Sequence, residues 1–235
     1  MEKENVLLLP GLLCDARLWQ RQMSDLSSVA DTIVADLTGA DSIAALAYEA
    51  LTQAPAGRFA LAGLSMGGYV ALEIMRQAPE RISALALLDT SARPDTPEGI
   101  EGRRKAMRLA GTDFAAVVAE LIPKLVHPAQ LGDEAIVGLI RSMAEGVGKE
   151  TFILQQRAIM GRIDSRPFLS QIICPTLVMC GRQDVITPIV VHEELAAEIP
   201  SSPLVIVEDC GHLSPLGQPQ QVSDALKKWL SRVAP

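Results

Sequence analysis

The sequence predicts an α/β fold, a three-layer α/β/α sandwich built on a mostly parallel sheet of about six strands. Short apolar runs alternate with stretches of helical hydrophobic spacing, which is typical of a parallel sheet covered by helices. Between Thr90 and Ile173 the strand-like runs stop and only helical spacing remains, which indicates an insertion. With 235 residues, of which 49% are hydrophobic, the chain can bury a sizeable core, so a disordered protein is excluded.

Each predicted strand is a short apolar run, as expected where both faces of a strand are covered. In chain order the predicted strands are residues 6–9, 32–37, 58–62, 84–88, 176–180 and 204–207. Helical spacing lies between them, beginning with Leu18, Gln22 and Leu26, which share one helix face. The other helices predicted outside the insertion cover residues 42–53, 69–77 and 219–232.

The strand-free part of the chain is predicted to be a separate piece of structure. Residues 92–170 carry 11 of the 21 basic residues but only 10 of the 28 acidic ones, so the charge balance differs from that of the flanking segments. We therefore expect a core made of residues 1–91 and 171–235, with residues 92–170 forming a helical cap inserted into it.

Composition and charge exclude several classes of function. The net charge is −7, and because phosphate binding needs clustered Lys and Arg, no nucleic-acid partner is predicted. Aromatic residues make up only 3% of the chain, which argues against a stacking platform for bases or sugars. No apolar run reaches the roughly 18 residues that a membrane span needs, so no membrane partner is predicted either.

The first residues and the cysteines favour a cytoplasmic protein. The apolar run at residues 6–9 is too short for a secretory signal and follows acidic residues. Cys14, Cys174, Cys180 and Cys210 show no paired spacing and no cluster of histidines beside them. We therefore predict no metal site and expect the cysteines to be small buried apolar side chains, with a free reactive thiol as the alternative.

One short motif carries a chemical signal. Gly63-Leu64-Ser65-Met66-Gly67 stands between a predicted strand and a predicted helix. A sharp turn there would lift the serine into an exposed, strained position, as a nucleophile requires. Glycines are needed on both sides because a Cβ would clash with the neighbouring strand and helix. Ser65 is the predicted nucleophile, and the alternative is a glycine-rich turn with an incidental serine.

A serine hydroxyl is a weak nucleophile near neutral pH and needs a base within hydrogen-bond reach. The chain offers His127, His192 and His212. His127 precedes a proline in the insertion and is expected in a solvated loop, and His192 lies among acidic residues and is expected at the surface. His212 follows the last predicted strand, at the sheet edge where parallel sheets place their sites, and is the predicted base.

A carboxylate is then needed to orient the imidazole and to stabilise its charged form. Asp184 directly follows the fifth predicted strand and is the predicted acid. Asp89, just after the fourth strand, is a competitor by the same reasoning, while Asp209 lies too early in its loop. The alternative for each of them is a carboxylate that caps a loop.

The reaction also needs an oxyanion hole, in which two backbone N–H groups point at the developing negative charge. We expect one N–H from Met66, which follows the nucleophile at a helix N-terminus. The other is expected from Leu12, in the loop after the first strand.

Four segments of the chain resemble the ordered motifs of the α/β-hydrolase superfamily. They are Pro10-Gly11-Leu12, Gly63-Leu64-Ser65-Met66-Gly67-Gly68, Gly181-Arg182-Gln183-Asp184 and Cys210-Gly211-His212. The chain order of Ser65, Asp184 and His212 is similar to that family's Ser–Asp–His order. The resemblance spans essentially the whole chain.

The resemblance implies a role for each matching position. Ser65 would be the nucleophile, Asp184 the acid and His212 the base, with Leu12 and Met66 donating to the oxyanion. The predicted cap would cover the substrate pocket.

Two features depart from the family's pattern. Many relatives carry His-Gly where this chain has Pro10-Gly11, and because the donor there is a backbone group, we expect an altered loop and a retained activity. The family's antiparallel N-terminal hairpin has no room before the first predicted strand. The hairpin is therefore predicted to be missing, which leaves residues 32–37 as an edge strand.

The predicted function is a serine hydrolase that works through an acyl-enzyme intermediate, with no cofactor and no metal. The apolar residues of the cap are mostly aliphatic or methionine, which suggests a small apolar pocket for a short acyl ester, thioester or lactone. The alternative for each of these residues is packing between cap helices. The residues predicted to line the pocket are Leu13, Met107, Met143, Phe152 and Met160.

Other functions share these features. C–C bond hydrolysis and cofactor-free perhydrolysis are alternatives within the same fold, and a non-catalytic ligand- or partner-binding protein is the alternative of another class. The basic cluster Arg103, Arg104, Lys105 and Arg108 is expected to be a solvated helix face. Its alternative role is to attract an anionic substrate or a carrier-protein partner.

Overall fold

A single parallel sheet is the frame of the fold. In the computed structural model, which describes residues 3–233, these residues form one sheet of six parallel strands. The strands are β1 (Glu4–Leu9), β2 (Ala30–Val34), β3 (Phe59–Leu64), β4 (Ile82–Leu88), β5 (Thr176–Gly181) and β6 (Leu204–Val207). Their spatial order is β2-β1-β3-β4-β5-β6. The predicted parallel sheet of about six strands is confirmed.

Strand side chains alternate between two hydrophobic clusters, one on each face of the sheet. In β1, Val6 and Leu8 belong to one cluster, whereas Leu7 and Leu9 belong to the other. All four side chains are completely buried, because helices cover both faces. This two-sided burial explains why the strands are continuous apolar runs in the sequence.

Helices connect the strands, since parallel neighbours need a crossover. The described α-helices are α1 (Gln20–Leu26), α2 (Ile43–Gln53), α3 (Met66–Gln77), α4 (Pro97–Thr112), α5 (Phe114–Leu125), α6 (Glu134–Met160), α7 (Ile189–Glu198), α8 (Ser214–Gly217) and α9 (Pro219–Leu230). Residues of α1 and α9 join the first cluster, and those of α2, α3 and α7 join the second, which gives three layers. Within residues 3–233, no helix combines the length and apolarity that crossing a bilayer would require.

The second strand begins and ends earlier than predicted. β2 starts at Ala30, which pairs with Glu4, and it ends at Val34, so the predicted bounds 32–37 were wrong. Beyond the strand, the N–H of Asp36 donates to a glutamine side chain of α2 at 2.8 Å and no longer continues the ladder. β2 does lie at the edge of the sheet, as expected.

The chain between β4 and β5 is a helical insertion, as predicted. It contains α4, α5 and α6, and it ends in a short 3-10 helix at Arg166–Gln171. α6 is interrupted at Gly148, whose φ of 82° is not helical. Val118 and Met143 of the insertion belong to the same hydrophobic cluster as one face of the sheet. The insertion therefore packs directly onto the core, and its division from the core at residues 92–170 stays a prediction.

The cysteines are free thiols. Cys14, Cys180 and Cys210 are buried and Cys174 is half-buried. Burial raises the pKa of Cys14 to about 12 and that of Cys180 to about 12, so neither thiol ionises near neutral pH. They pack as small apolar side chains, in agreement with the expectation from the sequence.

The turn between β3 and α3 brings backbone directly against backbone. A Cβ added to Gly63 would overlap the carbonyl of Gly67, and a Cβ added to Gly67 would overlap the carbonyl of Leu9. Neither neighbour is a flexible side chain that could move aside. Glycine is therefore required at both positions, and its absence of a side chain lets the start of α3 lie against the end of β1.

Replacing Gly67 with alanine is expected to destabilise the protein by about 1–3 kcal/mol, the usual cost of extra atoms in a packed interior. Gly102→Ala is the matched control. Gly102 lies on the exposed surface of α4, where an added Cβ meets nothing within 4 Å, and alanine is the better helix former by about 1 kcal/mol. Urea unfolding of both variants measures the difference, and equal effects would contradict the backbone contact at Gly67.

Candidate active site

Ser65 occupies the turn between β3 and α3 in a strained conformation. Its φ of 55° and ψ of −116° lie in a region that residues other than glycine rarely adopt. The N–H of Ser65 donates to the Leu88 carbonyl at 3.0 Å, and the Thr90 hydroxyl donates to the Ser65 carbonyl at 2.8 Å. These contacts with β4 and the loop after it hold the turn, and the serine side chain borders a cavity.

Ser65, His212 and Asp184 form one hydrogen-bonded chain. Ser65 Oγ lies 2.8 Å from His212 Nε2, and His212 Nδ1 lies 2.7 Å from Asp184 Oδ2. The three residues follow β3, β6 and β5, whose carboxyl ends meet at one edge of the sheet. Because an ionised carboxylate can only accept, Nδ1 carries the proton towards Asp184, which leaves Nε2 free to accept from the serine hydroxyl.

The carboxylate of Asp184 is fully hydrogen-bonded. Its Oδ2 also accepts from the Thr187 hydroxyl at 2.7 Å, and its Oδ1 accepts from the N–H groups of Ile186 at 2.8 Å and Thr187 at 2.9 Å. Burial alone would raise the pKa of Asp184, but the charge of His212 and the hydrogen bonds from His212 and Thr187 outweigh burial and lower it. Asp184 is therefore ionised at neutral pH.

The imidazole of His212 is a stronger base than an ordinary histidine. His212 is only 2% exposed, and burial by itself would lower its pKa. The buried carboxylate of Asp184 outweighs this effect and raises the pKa of His212 above its ordinary value of 6.5. The positive charge of nearby Arg103 acts in the opposite direction to Asp184 but is a smaller influence.

Asp89, the alternative carboxylate, lies beside the chain of three residues and ties two loops together. It is completely buried, its Oδ1 accepts from the N–H of Gly181 at 2.9 Å and its Oδ2 accepts from the N–H of Ser214 at 3.1 Å. Burial and the charge of Asp184 raise the pKa of Asp89 to about 7. Gly181 precedes Asp184 in the chain, and Ser214 follows His212. Asp89 therefore fixes the positions of the two loops relative to each other.

The expectation that His192 lies at the surface was wrong. The ring is completely buried, its Nε2 accepts from the N–H of Thr90 at 2.9 Å and its Nδ1 faces the Pro188 carbonyl at 3.4 Å. Burial lowers the pKa of His192 to about 4, so the ring is neutral. The acidic neighbours in the sequence were misleading because only one face of α7 meets solvent.

Two backbone N–H groups at the site form no hydrogen bond with another residue in the range 3–233. They belong to Leu12, in the turn after β1, and to Met66, the first residue of α3. The N–H groups of the first helical turn have no partner within the helix. Because Gly67 packs on Leu9, the turn after β1 lies beside this helix N-terminus, an arrangement that favours a negative charge.

The helical insertion holds loops on both sides of the site. Gln155 of α6 is 1% exposed, accepts from the N–H of Leu13 at 3.0 Å and donates to the carbonyl of Leu37 at 3.1 Å. Leu13 has a φ of 58°, so this side chain fixes a strained turn. On the other side, the N–H of Leu213 donates to the carbonyl of Leu125, at the end of α5, at 3.0 Å.

A cavity of about 190 Å³ is bordered by Ser65 and His212. Its walls are mostly aliphatic, and two cations, Arg103 and Lys124, also reach them. Such a lining suits a small, largely apolar group with a few oriented polar contacts. The aliphatic residues that the insertion contributes are Val118, Leu121, Leu125, Ile140, Ala144 and Ile159.

The prediction of the pocket residues needs correction. Leu13 does line the cavity. Met143 and Phe152 instead lie completely buried in the hydrophobic cluster between insertion and sheet, and Met107 and Met160 lie outside the lining. Because neighbouring residues on a helix lie about 100° apart around its axis, a residue beside a lining position faces elsewhere, and composition alone does not show which face is presented.

The described residues offer no ready metal site. Among residues 3–233, no three or more His, Cys, Asp and Glu side chains converge as metal ligands would. Asp184 and His212 use their polar atoms on each other and on neighbouring protein groups.

The family of the chain is decided by its match to a family model. The model described as the alpha/beta hydrolase family matches residues 6–225. The chain belongs to the alpha/beta hydrolase family. The resemblance of its four motifs to that family is thereby confirmed.

Individual proteins of similar sequence or structure agree with this family. The structure of a thermophilic esterase from Thermogutta terrifontis covers 98% of this chain and 90% of its own, with a TM-score of 0.91 and 33% identity. A pimeloyl-[acyl-carrier protein] methyl ester esterase from Nitrosomonas europaea is 27% identical over 231 residues, 92% of each chain. A 3-oxoadipate enol-lactonase 2 from Acinetobacter baylyi is 27% identical over 212 residues, 84% of this chain and 71% of its own.

Sequence reasoning missed two supporting residues of this alpha/beta hydrolase. Thr187 contacts the carboxylate of Asp184, and its position three residues further along is a spacing that signals a hydrogen-bonded turn. Gln155 left a weaker signal, since a polar pair with Gln156 interrupts an otherwise apolar stretch of helix. Neither signal identifies the partner, because the partners of Gln155 lie more than a hundred residues away in the chain.

We expect Gln155→Met to lower the free energy of unfolding by about 2 kcal/mol or more, because it leaves the buried N–H of Leu13 and carbonyl of Leu37 unpaired. Gln77→Met is the control. Gln77 is exposed and donates to the exposed carbonyl of Ala44 and to Glu73. Water can replace it at the carbonyl and Arg76 still donates to Glu73, so a loss below about 1 kcal/mol is expected. Chemical denaturation measures both, and equal losses would contradict the role of Gln155.

Proposed function

We propose that this alpha/beta hydrolase is a serine hydrolase that cleaves small acyl esters, thioesters or lactones through an acyl-enzyme intermediate. The observation that carries the proposal is the chain from Ser65 Oγ to His212 at 2.8 Å and from His212 to Asp184 at 2.7 Å, at the border of a largely apolar cavity. The strained turn at Ser65 supports it, since such strain is typical of an exposed nucleophile.

The first half of the reaction forms the acyl-enzyme. Ser65 Oγ attacks the substrate carbonyl while His212 Nε2 takes the hydroxyl proton. The tetrahedral intermediate collapses, the bond from carbonyl carbon to leaving group breaks, and His212 returns the proton to the departing alcohol, thiol or lactone oxygen. The acyl group then remains on Ser65, and Asp184 stabilises the imidazolium that forms on the way.

The negative oxygen of the tetrahedral intermediate needs donors that are in place before the reaction. We assign this role to the N–H groups of Leu12 and Met66, which have no other partner within residues 3–233. Loss of one such donor typically costs about 10²–10³-fold in kcat. The position of Met66 at the start of α3 adds the favourable field of the helix N-terminus.

The second half releases the acyl group. A water molecule attacks the acyl-enzyme carbonyl, His212 accepts one of its protons, and the bond between the acyl carbon and Ser65 Oγ breaks as the proton passes to the serine. The products are the free carboxylic acid and the regenerated enzyme. The single imidazole serves as base in both halves.

We assign the acid role to Asp184 and not to Asp89. Asp184 Oδ2 lies 2.7 Å from His212 Nδ1 and its pKa is lowered, so a negative charge faces the imidazolium. Asp89 has both oxygens engaged by backbone N–H groups and a pKa raised to about 7 by burial and Asp184. Its contacts suit the support of two loops.

The class of bond is supported by the relatives. The names of the Thermogutta terrifontis esterase, the Nitrosomonas europaea methyl ester esterase and the Acinetobacter baylyi enol-lactonase all specify ester or lactone bonds. The small volume and aliphatic lining of the cavity favour a short acyl group.

A more specific substrate within this class is an acyl ester attached to a carrier protein. It is suggested by the name of the Nitrosomonas europaea relative, which specifies an acyl-carrier-protein ester, and by the basic cluster on α4. Arg104 and Arg108 are 60% and 65% exposed, and both lie beside Glu101, which offsets part of their charge. A higher kcat/KM for a carrier-bound methyl ester than for the free methyl ester would support this partner.

Ser65→Ala is expected to lower kcat on short p-nitrophenyl esters by about 10⁴-fold or more, since the variant has no nucleophile. A fluorophosphonate probe should label the unaltered protein and leave the variant unlabelled. Ser27→Ala, which changes an exposed serine on the protein surface, should match the unaltered protein in both assays.

The same assays separate the competing functions. Equal activity and equal labelling of the Ser65→Ala and unaltered proteins would reject Ser65 as the nucleophile. Turnover of a β-diketone in place of every ester, thioester and lactone would indicate a C–C bond hydrolase, and peroxide-dependent turnover would indicate a perhydrolase. A protein that binds esters without turnover or labelling would be the non-catalytic alternative.

The pH dependence of kcat/KM on a neutral ester should follow the free base form of His212. Because the carboxylate of Asp184 raises the pKa of His212 from 6.5, the imidazolium persists to higher pH, and activity should fall on acidification with a midpoint above 6.5. Asp184→Asn removes the negative charge and should move that midpoint to lower pH while decreasing kcat. An unshifted midpoint in the variant would contradict the coupling.

A further inference from the structure

The charged residues that border the cavity are all positive. Among the described residues of its lining, the formally charged side chains are Arg103 and Lys124, and none is a carboxylate. The protein as a whole carries a net charge of −7, so this local excess runs against the overall balance. Lys124 also has no carboxylate within 4.0 Å among residues 3–233.

Arg103 is held in place by a half-buried network in which two arginines share one carboxylate. Its Nε donates to Asp95 Oδ2 at 2.5 Å and its Nη1 donates to Gln156 Oε1 at 2.8 Å. The other oxygen of Asp95 lies 2.6 Å from Arg162 Nη1. One carboxylate, 8% exposed, thus serves two arginines, which leaves one positive charge unbalanced beside the cavity.

The same network leaves donors unused at the cavity wall. A guanidinium has five N–H donors, and within residues 3–233 the Nη2 of Arg103 donates to no residue. The Nε2 of Gln156 likewise donates to no residue in that range, although Gln156 is 3% exposed and borders the cavity. Two residues that border the same cavity as Ser65 therefore each carry a donor, one of them charged, that has no acceptor within residues 3–233.

We infer that Arg103, assisted by Gln156, binds a free carboxylate of the substrate, so that the preferred substrate is an ester or lactone that carries a second, unesterified carboxylate. This inference rests on the proposed function and specifies its substrate class. A carboxylate suits the geometry because planar guanidinium donors match its two oxygens. The aliphatic walls then surround the short spacer between this carboxylate and the ester bond.

Arg103 differs from the rest of the basic cluster. Its side chain is 22% exposed, whereas Arg104 and Arg108 are 60% and 65% exposed and lie beside Glu101. Of the four cluster residues, Arg103 is the one that borders the cavity. If the cluster attracts anions only by its overall charge, removal of Arg103 and removal of Arg108 should have similar effects. If Arg103 binds the carboxylate directly, removal of Arg103 should have the larger effect.

The test compares kcat/KM for two methyl esters, monomethyl glutarate and methyl pentanoate. At the end remote from the ester, the first carries a carboxylate and the second a methyl group. The unaltered protein should prefer monomethyl glutarate. Arg103→Met should lower the ratio of the two kcat/KM values about tenfold or more, as expected for the loss of a charge-assisted hydrogen bond. Arg108→Met removes an exposed charge from the same helix and should change the ratio by less than about twofold.

Two further variants guard against a merely structural effect. Arg103→Lys keeps the charge and should retain part of the preference, while Gln156→Leu should lower the ratio without removing a charge. A ratio that is unchanged in both Arg103 variants overturns the inference and leaves the proposed hydrolase function intact. Equal losses in the Arg103→Met and Arg108→Met variants also overturn it, since they would show general attraction by the cluster.

Binding of glutarate provides a readout that does not need turnover. Calorimetry should detect glutarate binding to the unaltered protein, with a dissociation constant raised about tenfold or more in Arg103→Met. If neither ester is hydrolysed but this loss of binding occurs, the proposed function fails while the carboxylate site is supported. If glutarate binds equally to both proteins, or to neither, the carboxylate site is rejected.

Discussion

The contact between the start of α3 and the end of β1 is the constraint on which the site depends. Gly67 lies so close to the Leu9 carbonyl that no side chain fits between them. The chain passes from β3 to α3 through the single residue Ser65, whose φ is 55°. The N–H of Met66, at the start of α3, has no partner within residues 3–233. The strain of one residue is thus offset by the packing of two buried segments.

Parallel strands explain why residues far apart in the chain meet at this point. The carboxyl ends of β3, β5 and β6 lie at one edge of the sheet, so Ser65, Asp184 and His212 follow the ends of nearby strands. Proximity alone would leave their loops free to move. The buried carboxylate of Asp89, held between the N–H groups on two of these loops, supplies the missing restraint.

The sequence predicted the parts of the structure that depend on local pattern. Apolar runs located the strands, and chain order located the residues at the strand ends. The predicted β2 began too late in the chain, because the start of this strand is defined by its pairing with β1. The surface position expected for His192 and the pocket role expected for Met143 failed for a shared reason. Both depend on which face of a helix meets the core, and sequence neighbours do not show that face. Gln155 was missed because its partners are brought to it only by folding.

The attachment of the helical insertion has an evolutionary consequence. Gln155 anchors the turn that contains Leu12, and the carbonyl of Leu125 anchors the loop after His212, so the segment that lines the cavity also braces the loops around Ser65 and His212. Diversification of this protein is therefore constrained unequally. Aliphatic wall positions can exchange side chains and reshape the cavity, whereas exchanging or deleting the whole segment would also remove two supports of the loops at the site.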